Sequence, residues 1–398
     1  MVYIIEDVFG SAINPLTKQM EQIKRFTLVN SMEMSVQICT LGATITTIKV
    51  PDASGQIDDV VLGYDDVAGY QTATNPYFGA TVGRVCNRIA NGHFMLNGQD
   101  IQVSRNFYNK HQLHGGFLGF DKMHWQVLET NSDGVRLQHC SPAGHEGYPG
   151  QVTATVKYTL TEDNCLHVSM QAKTTKTTAV NMTNHSYFNL AGHSTGKEAM
   201  LEHSIVIKAD QITETDADSI PTGRFINVVG TLFDFNEQKQ LGERLKELLN
   251  GYDDNYCVKL NGNNITTIAR VYHQKSGRWL EIASNQPGVQ FYTSNSMPDV
   301  NKGETPLQGK EGAKYVKQGS FCLETQKYPD AVNHSNFPSI ILNPDEQYNH
   351  DVIYKFGICR SGTSSLTNKN TKTNYFNKVE IVYSKVYIKI YGSSLKTK

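Results

Sequence analysis

The sequence carries almost no excess charge. Its 37 Lys and Arg against 38 Asp and Glu leave a formal charge of −1, so no global field draws it to nucleic acid or to an anionic membrane. It also lacks any apolar run of the roughly 20 residues needed to span a bilayer. The opening stretch, MVYIIEDVFGSAINPLTKQM, places Glu6 and Asp7 where a signal peptide has a basic start and a long apolar run, so a secretory leader is not expected. The seven cysteines, Cys39, Cys86, Cys140, Cys165, Cys257, Cys322 and Cys359, are odd in number, scattered, and include no C-x-x-C pair. That argues against a disulfide framework or a zinc site and for reduced thiols in the cytoplasm. Asn-x-Ser/Thr triplets at Asn181, Asn184, Asn264 and Asn333 read as chance matches without a secretory route. The partner these absences leave is a small, neutral, polar molecule, with no nucleic acid and no membrane, bound by a monomer or weak homodimer.

Tryptophan is scarce as well, with two against twenty Tyr, sixteen Phe and 32 Gly. Such a balance favours strands and turns over helical bundles. Period-two alternation is clearest from Val152 to Ala172, where Val152, Ala154, Val156, Tyr158 and Leu160 give way to a turn at 161–164. Leu166, Val168, Met170 and Ala172 then resume it, the pattern of a β-hairpin. Further strands are expected over 36–50 and 135–139, and as a pair over 279–283 and 289–292 around the turn Asn285-Gln286-Pro287-Gly288. The best helix candidate is 238–250, with Leu241, Leu245, Leu248 and Leu249 on one face and Gly251 as its stop. No repeat of about 20–50 residues and no Pro- or Gly/Ser-rich linker divides residues 1–359, so one continuous all-β domain is expected there. Residues 360–398 differ in kind, holding eight Lys or Arg against the single acid Glu380. A composition this polar reads as a basic, poorly ordered tail.

Four segments concentrate chemically able side chains: Gly83-Arg84-Val85-Cys86-Asn87-Arg88, Leu113-His114-Gly115-Gly116, Asn184-His185-Ser186-Tyr187-Phe188-Asn189 and Cys322-Leu323-Glu324-Thr325-Gln326. Their mixture suits a pocket that hydrogen-bonds a hydroxyl-rich ligand. His114 precedes a Gly-Gly turn, where a ligand can approach the backbone, or is an ordinary turn histidine. Paired with His111 it forms an H-x-x-H spacing, but the glycines argue for a turn and not for a metal-binding helix. Alternation sends His185 and Tyr187 to one face of a strand, where His185 is either catalytic or a satisfied structural histidine. Ser186 lacks the G-x-S-x-G elbow of a hydrolase. Glu324 ends an apolar approach in which a carboxylate is unusual, so it is either a buried ion pair or a functional acid. Asp253 and Asp254 read locally as loop or capping residues, and Gln290 as a cross-strand hydrogen bonder.

At these segments the chain resembles the aldose 1-epimerase (galactose mutarotase) family. The likeness runs through GRVCNRIANGHFMLNG at 83–98, LHGGFLGFDKMHW at 113–125, SPAGHEGYPG at 141–150 and TNHSYFNLAGH at 183–193. It continues in GYDDNYCV at 251–258, QPGVQFYTSN at 286–295 and CLETQKYPDAVN at 322–333. The resemblance implies a large antiparallel β-sandwich with the sugar in an open cleft, and an enzyme of hexose and galactose metabolism that interconverts α and β anomers. It assigns Glu324 as general base, His185 as general acid and His114 as a second histidine near the ring oxygen, with Asn87, Arg88, Tyr187, Asp253 and Gln290 binding the sugar. No metal or other cofactor is implied. The proton transfer requires an ionised Glu324 and a protonated His185, each stabilised by the other. Two departures stand out. The family often has Asp-His-Asn where this chain has Asp253-Asp254-Asn255, and its pattern normally ends near Tyr354-Lys355-Phe356. A hexose-6-phosphate 1-epimerase is the nearest alternative, needing a phosphate-binding cation for which only Arg84 and Arg88 offer themselves. A sugar-binding protein without catalysis is another.

Overall fold

A computed structural model describes residues 2–359 apart from 133, 249 and 263; the basic segment 360–398 lies outside the described residues. The all-β expectation holds, and the strands fall mainly into three antiparallel sheets. The first is a ladder in chain order, Tyr3–Ile13, Met20–Val29, Ser35–Cys39, Thr44–Pro51 and Ile57–Asp59. The second has nine strands and contains the hairpin Val152–Leu160 and Cys165–Thr174 read from the sequence, followed across the sheet by the middle strand Tyr348–Ile358 and by Arg278–Ser284 and Thr266–His273. The third, which carries the candidate site, orders Pro221–Asn227, Ala209–Thr215, Asp253–Val258, Gly288–Tyr292 and Cys322–Gln326. Inward side chains of all three, among them Phe26, Ile48, Val156, Tyr354, Phe291 and Leu323, meet in one apolar cluster, a large buried area that favours the folded state.

Two expectations need correction. The strands on either side of Asn285–Gly288 are not hairpin partners: Arg278–Ser284 pairs with Thr266–His273 and Tyr348–Ile358, while Gly288–Tyr292 pairs with Asp253–Val258 and Cys322–Gln326. Residues 285–287 carry the chain from one sheet to another. The helix is also shorter than its leucine spacing suggests, Leu241–Glu247, because Lys239–Gln240 is drawn into pairing with Ser204 and Ile205 and Leu248 leaves helical geometry at φ −105°.

The first sheet is tied to a distant loop by a buried ion pair. Lys310 Nζ lies 2.5 Å from Asp59 Oδ2 and donates to the carbonyls of Thr46 and Val61 at 2.8 Å. The other Asp59 oxygen accepts the amides of Ile48 and Val61 at 3.1 Å. Every polar atom of the pair is thus engaged, the condition under which a buried charge is tolerated.

Strand register separates the two adjacent aspartates. Asn255 faces Gln290, which faces Glu324, whereas Asp254 faces Phe291, which faces Leu323. Side chains alternate along a strand, so Asp253 and Asn255 share the face of Glu324, and Asp254 lies on the opposite face with the core residues Phe291 and Leu323. Asp254 therefore points neither into the cleft nor freely into water. Burial, then the charge of Asp253, pushes its carboxyl up to about 7.

Lys310→Met leaves Asp59 buried without its counter-charge and is expected to cost about 3–5 kcal/mol in urea unfolding; a loss below ~1 kcal/mol would show that the pair is dispensable. Asp254 holds a proton in the folded state that the unfolded chain releases, so its cost accrues as pH rises from near 4 to about 7. Asp254→Asn should accordingly stabilise the fold on the order of 1–3 kcal/mol more at pH 8 than at pH 5. An equal gain at both values contradicts that burial.

Candidate active site

Glu324 occupies the middle of the short strand Cys322–Gln326, every residue of which is buried. It projects from the face that also carries Gln290 and Asp253, and it is 3% exposed. One of its oxygens, Oε2, is buried and has no hydrogen-bond partner among the described residues. Buried polar atoms are nearly always satisfied, and the exceptions call for an explanation. The nearest candidate partner is His185, whose Nε2 lies 3.6 Å away, beyond hydrogen-bond reach.

His185 is delivered there by backbone pairing. Thr183–Asn184 pairs with Thr81–Val82, the His185 amide donates to Ala80 and its carbonyl accepts from Gly79. Two residues past Tyr187's neighbour Ser186, Phe188 exchanges backbone bonds with Phe321, at 2.7 and 3.0 Å, just before the Glu324 strand. The imidazole is then clamped between two tyrosine rings. Tyr187 stacks on it at 5.0 Å and 14°, as the same-face expectation requires, and Tyr77 stacks at 5.8 Å and 19°. Its Nδ1 meets the Cys322 thiol at 3.7 Å. Tyr187 is 2% exposed and packs edge-on against Phe78. Ser186 turns away to hydrogen-bond Asn184 at 2.7 Å and has no part in the pair.

His114 completes the trio from a loop. Its φ is 51°, a left-handed value that non-glycine residues rarely adopt. Gly115 follows at φ 83°, and a Cβ on it would collide with the Gly83 carbonyl, so this turn requires glycine there. The turn is gripped by Glu146, whose carboxylate accepts the amides of Phe117 and Leu118 at 3.0 Å. His114 Nδ1 accepts the Asn87 amide at 3.1 Å, and the His114 amide donates to the Asn87 carbonyl at 2.9 Å. Because Nδ1 is an acceptor, the neutral ring carries its proton on Nε2.

Around this trio lies a polar lattice. Arg88 Nη2 donates to Asp253 Oδ2 at 3.0 Å, and Gln290 Nε2 donates to Asp253 Oδ1 at 2.8 Å. Gln326 donates to both Gln290 Oε1 and Asn255 Oδ1 at 3.1 Å. Asp253 thus sits in a strand and not in the loop its sequence suggested, and Gln290 is the cross-strand bonder expected of it. Gln326, Asn255 and Tyr77 belong to the site although sequence reading did not select them. The first two follow from register once Glu324 is placed, since they share its face. Tyr77 carries its own signal only in the backbone, where φ is 67° for a bulky aromatic residue.

Burial sets the electrostatics. It pushes the Glu324 carboxyl well above the usual carboxylate range, reinforced by the charge of Asp253 and opposed by Arg88. It lowers His185 to about 4 and His114 well below the usual imidazole range, the latter helped by the charges of His185 and Arg88. Both shifts of the pair favour the uncharged form, with the proton on the carboxyl, over the ionised form expected from the sequence. The two forms hold the same single proton, and their exchange is a transfer across the 3.6 Å gap.

The ligand atoms of His114, His185 and Glu324 lie within 4.8 Å of one another, a metal-like spacing. The His114 proton on Nε2 works against it, since a metal needs that lone pair. The H-x-x-H reading fails on geometry: His111 accepts the Asn91 amide at Nδ1 and meets Asp218 with Nε2 at 3.2 Å.

Residues 24–355 match the family model described as aldose 1-epimerase. Galactose mutarotase of Bos taurus is 44% identical over 359 residues, covering 90% of this chain and 100% of that one. Aldose 1-epimerase of Escherichia coli (strain K12) is 32% identical over 337 residues, covering 83% and 94%. Among solved structures, an aldose epimerase homologue from C. elegans superposes with a TM-score of 0.75 at 29% identity, covering 83% of this chain and 97% of that one. A galactose 1-epimerase from Lactobacillus acidophilus shares the fold with a TM-score of 0.73 at 23% identity. A family model matched over residues 24–355, with sequence and fold shared along nearly the whole described length, places this chain in the aldose 1-epimerase family.

Proposed function

We propose that this protein is a mutarotase acting on free aldohexoses such as D-galactose and D-glucose, with Glu324 and His185 as its acid-base pair. The observation that carries the reading is the buried Glu324 oxygen without a donor, 3.6 Å from an imidazole nitrogen. A hydroxyl on the anomeric carbon supplies the missing donor. The Glu324 proton first passes to His185; the carboxylate then accepts the proton of the C1 hydroxyl while the imidazolium delivers one to the ring oxygen, the C1–O5 bond breaks and C1 becomes a carbonyl. After rotation about C1–C2, the freed hydroxyl attacks the other face of C1 and both protons return. The pair ends as it began. His114, with its proton on Nε2, is placed to donate near the ring oxygen.

Arg88, Asp253, Asn87 and Gln290 take the hydroxyls remote from C1. The carboxylate and guanidinium make directional, charge-assisted bonds, and they are already oriented by one another, so binding costs little reorganisation. Tyr187, being buried, acts on the sugar through the imidazole it supports. The phosphosugar alternative loses one of its two arginines. Arg84 spends its terminal nitrogens on the carbonyls of Ser141, Pro142, Pro149 and Gly150 at 3.0–3.4 Å. Arg88 is paired with Asp253. A reducing, cytoplasmic setting is supported by the seven unpaired thiols; no helix among the described residues is long and apolar enough to cross a membrane.

Polarimetry of freshly dissolved α-D-galactose and α-D-glucose tests the reading directly. The protein should accelerate the drift, and Glu324→Gln should lower kcat about 10²–10⁴-fold with the fold intact; a mutant as fast as the wild type removes Glu324 from the role of base. Glucose 6-phosphate should be turned over less efficiently than glucose, and the reverse preference would make the phosphosugar the substrate. The pH profile follows from the shared proton. After subtraction of the spontaneous rate, kcat/KM should be level through neutrality and fall on the acid side toward pH 4, where His185 takes up a second proton. A midpoint near pH 6.5 would mean that burial does not control the imidazole.

A further inference from the structure

The two nitrogens of the His185 imidazole are met by alternate residues of a single strand. Cys322 and Glu324 stand two apart in Cys322–Gln326 and so share one face. Cys322 Sγ lies 3.7 Å from Nδ1, and Glu324 Oε2 lies 3.6 Å from Nε2. All three side chains are buried, that of Cys322 completely. The neighbouring strand sets Tyr292 across from Cys322, and Tyr292 meets edge-on the same Tyr187 ring that stacks on His185. Proton transfer within the pair uses the Nε2 side and leaves the sulfur without a part.

Glu324 can pass its proton to His185 through Nε2 only if that nitrogen presents a lone pair, and in a neutral imidazole this requires the hydrogen on Nδ1. The group facing Nδ1 is the Cys322 thiol, which stays protonated because burial, then the charges of Glu324 and Asp253, push it well above the usual thiol range. A thiol sulfur is a weak acceptor. It can hold the Nδ1 hydrogen without stabilising the imidazolium as strongly as a carboxylate does. The other groups around the ring are Tyr77 and Tyr187 stacked on it, His114 edge-on at 5.2 Å, and Lys122 over the Tyr77 ring. The ring's own backbone carbonyl and the charge of Asp253 favour the cation, and burial outweighs both. A ring held in this way gives a strongly acidic imidazolium, matched to the weakly basic ring oxygen of a hemiacetal.

We propose that Cys322 is a positioning residue for the acid of the pair: its sulfur accepts the Nδ1 hydrogen of His185, so that Nε2 faces Glu324 as the acceptor of the shared proton. The role rests on the epimerase reading above. Transfer from Glu324 then gives a carboxylate and an imidazolium with a hydrogen on each nitrogen. The Nε2 hydrogen goes on to the ring oxygen, the carboxylate takes that of the C1 hydroxyl, and the imidazole is left with its hydrogen on Nδ1 as before. One strand thus sets both ends of the ring, with the base at one nitrogen and the tautomer fixed at the other.

NMR of protein labelled with 15N at histidine reads the tautomer directly, His185 being assigned by the signals lost in His185→Gln. In the wild type at pH 7, Nδ1 should show the shift of a protonated nitrogen and Nε2 that of an unprotonated one; the reverse overturns the proposal. In Cys322→Ala, kcat for glucose should fall about three- to tenfold, the range of one lost neutral hydrogen bond, with KM within about twofold of the wild type. Cys322→Ser offers a stronger acceptor. It should recover most of that loss and, by stabilising the imidazolium, move the acid-side fall of kcat/KM upward from near pH 4 by about one unit. An alanine variant with the wild-type kcat, or a serine variant whose acid limb does not move, also overturns it. Should the alanine variant not fold, the wild-type spectrum and the serine profile decide. If the wild type accelerates neither glucose nor galactose, the epimerase reading falls instead, and the spectrum still decides the tautomer.

Discussion

A carboxyl oxygen buried without a hydrogen-bond partner is expensive, and the architecture around Glu324 is arranged to hold that cost in place. The strand cannot turn the side chain out, because a one-residue slip would send Leu323 and Thr325 to the polar face and Glu324 into the apolar cluster. The imidazole cannot swing in to satisfy it, because Tyr77 and Tyr187 sandwich the ring. The 3.6 Å separation is therefore a property of two rigid frames, a sheet on one side and a stacked aromatic column on the other. Differences in burial and partner then decide where the single proton of the pair rests.

Much of this was legible in the chain because it rests on short-range chemistry. The hairpin over 152–174 shows in its alternation, Gly115-Gly116 mark the turn at His114, and the apolar residues ahead of Glu324 mark a carboxylate out of place. The likeness to a known family then gave those residues roles. What stayed hidden depends on long-range register. Asp253 looks like a loop residue after Gly251, since nothing nearby reveals that Tyr292 lies across from it and that Gln290 bonds to it. The run of 279–292 looks like a hairpin around Pro287 because a turn signal is the same whether the chain returns to its own sheet or crosses to another. Lys239 and Gln240 fit a helix by leucine spacing until pairing with Ser204 and Ile205 claims them.

Left-handed backbone recurs on the loop side of the cleft. Tyr77, Asn87 and His114 all have φ between 51° and 67°, and all three touch or hold an imidazole or its partner. Each conformation costs about 1–3 kcal/mol where nothing enforces it. Here side chains bonded to backbone do the enforcing: Glu146 holds the amides after His114, and His114 Nδ1 holds the amide of Asn87.

The two halves of the cleft are accordingly held by different kinds of contact. Glu324, Asp253 and Gln290 stand on ladder-bonded strands, whose opening requires breaking up the third sheet, while His114 and Asn87 lie on loops secured by a handful of contacts. Local opening draws on the weakest region first. Under the proposed roles, warming should therefore loosen His114 and Asn87 while Glu324 stays in register, so that the proposed activity is lost in a transition of its own, below the melting of the sheets and reversible on cooling.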